Sequence, residues 1–169
     1  MSAKREVSFD DVLRSMQQLC SSREICISEA AAKMKKRNVA DADAEKITAM
    51  LLQSGYIDEE RYAKAFVNDK FAFDKWGAHK IRRALAVKGI SETHIDKAIA
   101  EDENLAENSD AAVYRLLVKK AELIHLYKNS NADGIYAKLV RFGLSRGFDC
   151  DTVAKHASAI VAKRKNETE

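Results

Sequence analysis

The residues best able to act as nucleophiles, acids or metal ligands are few and scattered. Four histidines, His79, His94, His125 and His156, fall in four different predicted helices. None has a second His or Cys, or a carboxylate pair, one helical turn away to complete a metal-ligating face. Cys20, Cys26 and Cys150 match neither a zinc framework nor a C-x-x-C redox pair, so they read as reduced, inert thiols. The Walker loop that cradles phosphate, the H-E-x-x-H zinc helix, the G-x-S-x-G elbow and the glycine-rich dinucleotide turn are all missing. The expectation is a protein that is not an enzyme, with no catalytic residue, no metal and no cofactor.

Cationic side chains give a stronger signal, because they recur. Residues 28–38 carry Lys33, Lys35, Lys36 and Arg37 against the single acid Glu29. Residues 77–88 carry Lys80, Arg82, Arg83 and Lys88, and residues 134–147 carry Lys138, Arg141 and Arg146, both without any acid. The overall formal charge is only +3, so attraction to a polyanion has to come from this local arrangement. The segments that follow open instead with Asp41, Asp43 and Glu45, with Glu92 and Asp96, and with Asp149 and Asp151. Carboxylates there suit the positive end of a helix dipole.

These charges need helices to hold them. With 169 residues, 46% of them hydrophobic, and not one proline, the chain can fold and favours uninterrupted helices. Apolar residues at helical spacing mark Phe9, Val12, Met16 and Leu19, then Ile27, Ala30, Ala31 and Met34, then Ala44, Ile47 and Leu51. A second set holds Tyr62 and Phe66, then Ile81 and Leu85, then Ile95, Ala98 and Ile99. A third holds Val113, Leu117, Ala121 and Ile124, then Ile135 and Leu139, then Val153, Ala157 and Ile160. Predicted caps are Ser8 with Asp11, Ser22, Asp41 or Asp43, Asp58 and Ser91. The acidic run 101–110 reads as a solvated linker. Strand alternation is absent.

The three sets are an internal repeat. Their second helices end in RNV, KGI and RGF, where Asn38, Gly89 and Gly147 suit a left-handed helix terminus. Sliding Gly89 onto Gly147 also places Lys80 on Lys138, Arg83 on Arg141, Ile95 on Val153 and Ile99 on Ala157. The first set fits with about three extra residues after Val39. The predicted fold is all-α: tandem three-helix, helix-turn-helix-like repeats at 8–54, 55–101 and 108–165 in an elongated, curved array. Units this small are marginal alone, so neighbours must stabilise one another.

Helix-turn-helix DNA readers insert the start of their last helix into the major groove. Here that helix starts acidic, which disfavours a sequence-specific transcriptional regulator, retained as the alternative reading. Tyr62, Phe66 and Phe73 share a helical stripe and are predicted to be buried, whereas Trp76 is predicted to be partly exposed. A base-stacking platform is the competing role for these aromatics. No apolar stretch approaches the roughly 20 residues of a membrane span. The N-terminal segment has no signal-peptide core, so the expectation is a cytoplasmic protein.

The segment from Leu51 to Ala100 is more specific. Gly55, Tyr56, Ile57 and Asp58, then Glu60, Arg61, Tyr62 and Ala63, then Gly77, Lys80, Ile81 and Leu85, and finally Gly89 and Ile90 resemble the RecX family of recombination regulators. Trp76 stands where the resemblance leads one to expect a small or basic residue. What the resemblance implies is a monomeric cytoplasmic regulator of homologous recombination, DNA repair and the SOS response. Its partners would be RecA and the RecA filament on single-stranded DNA, with weak non-specific DNA binding and, for the most part, inhibition of the recombinase and its ATPase. The expected contact surface is Lys75, Lys80, Arg82, Arg83, Lys88, Lys138, Arg141 and Arg146.

Overall fold

The computed structural model describes residues 8–126 and 132–168. Among them are nine helices and no strand. The first repeat supplies α1 (Phe9–Ser22), α2 (Ile27–Lys36) and α3 (Asp41–Gln53). The second supplies α4 (Glu59–Ala72), α5 (Ala78–Val87) and α6 (Glu92–Glu101), and the third α7 (Glu103–Leu126), α8 (Ala132–Ser145) and α9 (Cys150–Thr168). The predicted all-α class and its three-helix repeats are therefore present. Among the described residues, no helix is long and apolar enough to cross a membrane.

The chain forms two compact units, one of residues 1–65 with 85–96 and the other of 66–84 with 97–169. In the first, Val12 and Met16 of α1, Ala30 and Met34 of α2, and Ile47 and Leu51 of α3 close one core with Ile25 and Ile57. In the second, α7, α8 and α9 pack on one another. Val113, Leu117 and Ala121 bury there with Leu139, Val153 and Ala157. Apart from Ile25 and Ile57, which lie between helices, all of these lie on the apolar stripes predicted from spacing.

Each unit contains a junction between second helices of successive repeats, in which the start of one meets the end of the next. In the second unit, the backbone N–H groups of Gly77 and His79 at the start of α5 donate to the carbonyls of Arg146 and Gly147 just past α8, at 2.8 and 3.1 Å. Helix N-termini lack acceptors and helix C-termini lack donors, so each end satisfies the other. The approach is close enough to exclude side chains. A Cβ on Gly77 would lie 2.4 Å from the Gly147 oxygen, and one on Gly147 would lie 2.3 Å from the Lys80 Cβ. Gly147 also needs its positive φ of 84°.

The first unit makes the corresponding contact with side chains. In repeat register Ser28 matches His79, and Lys88 matches Arg146. Ser28 Oγ donates to the Lys88 carbonyl at 2.7 Å. Lys88 Nζ reaches Glu29 Oε1 at 2.6 Å, and the Tyr62 hydroxyl donates to the same oxygen at 2.8 Å. Arg23 adds an ion pair to Glu29 at 3.2 Å. Burial works against the Glu29 charge, yet the hydrogen bonds from Lys88 and Tyr62 hold its carboxyl below the usual glutamate range. Burial, followed by that same hydrogen bond, pushes the Tyr62 phenol up.

Several predicted details are corrected. Ser8 precedes α1 but makes no side-chain cap, and the Asp11 carboxylate that would complete a capping box pairs with Arg14 at 2.9 Å. Ser22 does not open α2; it ends α1, with its hydroxyl bonded to the Leu19 carbonyl. Asp41 and Asp43 sit inside the first turn of α3 behind Ala40, where they act on the dipole without capping. The acidic run 101–110 is no linker. Asp102 alone interrupts the helices and caps Leu105 N–H at 2.8 Å; Glu101 ends α6, and Glu103, Glu107 and Asp110 lie in α7. Phe73 is 79% exposed, because α4 ends at Ala72 and the stripe ends with it. Asp58 and Ser91 do cap, accepting from Arg61 and His94 N–H at 2.9 and 3.3 Å, and Asn38, Gly55 and Gly89 take positive φ.

Two stability experiments follow from the junctions. Gly77→Ala and Gly147→Ala should each cost about 3 kcal/mol or more in urea unfolding, because backbone must separate. Gly55→Ala and Gly89→Ala, whose Cβ positions are open, should cost only about 1–2 kcal/mol of conformational strain. Equal losses at all four would contradict the close approach. Glu29 has a depressed folded-state pKa, so its contribution is complete above the usual glutamate pKa of about 4.3 and is lost as pH falls through the lower folded value. Glu29→Gln should therefore cost about 1–2 kcal/mol at pH 7 and flatten the decline in melting temperature between about pH 5 and 3.

Candidate functional site

The predicted cations distribute as their helices dictate. In the second unit, Lys80, Arg82 and Arg83 lie on α5 and Lys138 and Arg141 on α8, with Arg146 just beyond α8 and Lys75 in the turn before α5. Lys88 lies in the first unit, within the junction to Glu29. It is an anchor for packing, with its side chain only 27% exposed.

Cations of α5 and α8 come together at one point in the second unit. Lys80 and Arg83 are one turn apart on α5, and Lys80 Nζ reaches toward the Ser145 carbonyl of α8 at 3.4 Å. Arg141 and Lys138 lie one and two turns back from Ser145 on the same helical face. Arg83, Lys138 and Arg141 are exposed, and Arg82 is half-buried. No acid interrupts either helix segment, from 77 to 88 or from 134 to 147. Arg146 is turned inward by comparison, donating from Nη1 to the Asp74 carbonyl at 3.2 Å and lying 5.3 Å from the Phe142 ring centre.

Trp76 lies just before α5. It is half-buried and meets Phe66 edge-on with ring centres 6.5 Å apart. The ammonium groups of Lys70 and Lys80 lie 5.1 and 4.5 Å from its ring centre, within range of cation–π attraction. Spacing alone does not reveal this cluster, since Phe66 and Trp76 occupy different elements. Glu29 is another anchor that charge counting passes over, although a lone acid within the basic segment 28–38 was the available clue.

The chemistry this surface offers is attraction and stacking. Cys20, Cys26 and Cys150 are free thiols, and burial raises the pKa of Cys20, which makes it a poor nucleophile at neutral pH. Among the described residues no three His, Cys, Asp or Glu side chains gather as a metal site requires. His79 is exposed and His94 half-buried. His156 packs beside Tyr114, with ring centres 5.5 Å apart, and the side chain of His125 lies outside the described residues.

Comparison with known proteins agrees with the residue pattern. The family model described as RecX, second three-helix domain, matches residues 58–99. A regulatory protein RecX from Chlorobium phaeobacteroides is 31% identical over 153 residues, covering 90% of this chain and 93% of the relative. One from Clostridium botulinum strain Alaska E43 is 32% identical over 124 residues, and the match covers 70% of this chain but only 55% of that longer relative. A crystal structure of regulatory protein RecX superposes with a TM-score of 0.73 at 22% identity, over 89% of this chain and 73% of its own, and so shares the fold. With a central motif, three-helix repeats and near full-length similarity all in agreement, this chain belongs to the RecX family.

Proposed function

We propose that this protein is a non-enzymatic, cytoplasmic regulator that binds RecA and its filament on single-stranded DNA and restrains strand exchange and ATP hydrolysis. The observation that carries the reading is the exposed cations Arg83 of α5 and Lys138 and Arg141 of α8, two helices that Lys80 links at Ser145, in a chain whose relatives are named regulatory protein RecX. Three repeats can meet successive protomers of a helical polymer, so that modest contacts reinforce one another through effective concentration. Third helices that open with Asp41, Asp43, Glu92 and Asp151 fit poorly into a major groove. A transcriptional regulator would show an affinity ratio of roughly 10³ or more between one operator and bulk DNA.

The test reverses the outward charges and leaves the junction anchors alone. Arg83→Glu, Lys138→Glu and Arg141→Glu together should preserve the helical circular dichroism and melting temperature. The triple variant should lose at least about tenfold in potency against RecA ATPase and strand exchange, and the salt slope of DNA binding should fall by about 0.9 for each phosphate contact removed. A folded triple variant that inhibits like the parent would remove this surface from the mechanism. Lys88 is excluded because a carboxylate there would face Glu29.

A further inference from the structure

Phe73 lies outside the hydrophobic core, on the turn between α4 and α5, with 79% of its surface exposed. Leaving a phenyl ring in water forgoes about 1.5–3 kcal/mol of burial, yet this turn is tightly braced. Trp76 N–H donates to the Lys70 carbonyl at 3.0 Å. Arg146 Nη1 donates to the Asp74 carbonyl at 3.2 Å. Lys75 adopts a left-handed φ of 56°, a conformation that a lysine rarely takes. Phe73 is thus displayed on a fixed scaffold, which lowers the ordering cost of a contact.

The same turn gathers positive charge. Lys70 Nζ holds Asp74 Oδ2 at 2.6 Å, Lys75 Nζ donates to the Ala72 carbonyl, Arg146 holds the Asp74 carbonyl, and Lys80 covers Trp76. All four cations therefore touch residues 72–76, where the acid Asp74 is already paired with Lys70. An exposed aromatic face beside surplus cations is the combination that binds unpaired bases and their phosphates. A duplex hides its base faces and could use only the cations.

We propose that the α4–α5 turn is a stacking site for single-stranded nucleic acid, with Phe73 as the platform for a base and Lys75 and Lys80 as contacts for the flanking phosphates. This deepens the filament-binding reading and rests on it for the strand's place in a recombinase complex, while the contact itself can be tested without the recombinase.

Anisotropy titrations at about 50 mM salt would compare a labelled oligothymidine strand, an abasic strand of equal length and a duplex. The parent should prefer the base-bearing single strand. Phe73→Ala should weaken that strand by about 5- to 100-fold, leave the abasic strand and the duplex unchanged, and so abolish the preference. Phe73→Trp should restore it. No measurable single-strand binding by the parent, no effect of Phe73→Ala, or equal losses on base-bearing and abasic strands would each overturn the site. If Phe73→Ala kept strand binding but lost inhibition of RecA ATPase, the ring would be a protein contact and the stacking site would fall while the regulatory reading stood. If the alanine variant lost strand preference but the parent left RecA unaffected, the reverse would hold.

Discussion

Backbone groups left over at the ends of helices organise this molecule. The N–H groups that open α5 have no partner within their own helix, nor do the carbonyls that close α8, and the second unit brings the two ends together at 2.8 and 3.1 Å. Hydrogen-bond satisfaction on both sides comes from a single contact, and the opposed partial charges of the two helix ends add to it. The contact is possible only because Gly77 and Gly147 leave room for backbone to touch backbone. In the first unit Ser28, Glu29, Tyr62 and Lys88 meet the same need with side chains.

The positive charge of the second helices therefore has two physical roles. Lys88 and Arg146 sit where a helix ends, beside carbonyls that favour a cation, and both are committed to neighbours. Lys80 spans the roles, since its stem lies over Gly147 while its head approaches Trp76 and Ser145. Arg83, Lys138 and Arg141 point to solvent. Cations recur in the repeat partly because the junction needs them.

Much of this was legible in the sequence. Helical stripes such as Val113, Leu117 and Ala121 located buried faces correctly because a long helix repeats its own geometry many times. Asn38, Gly89 and Gly147 marked the ends of second helices because few residues tolerate a positive φ. The misplaced Phe73 shows where periodicity stops working, since a stripe has no meaning beyond the last turn. Likewise Ser8 and Asp11 have the spacing of a capping box, but Ser8 makes no cap and Asp11 pairs with Arg14. The pairing of Glu29 with Lys88, 59 residues apart, and the gathering of Lys70, Trp76 and Lys80 depend on tertiary neighbours that local spacing does not encode.

Because Gly77 and Gly147 share one contact while belonging to different repeats, the repeats are not interchangeable bricks. A chimera spliced between two relatives at the border of the second and third repeats would set one parent's helix start against the other parent's helix end. It would tolerate the graft only if both parents kept a residue without a side chain at each position.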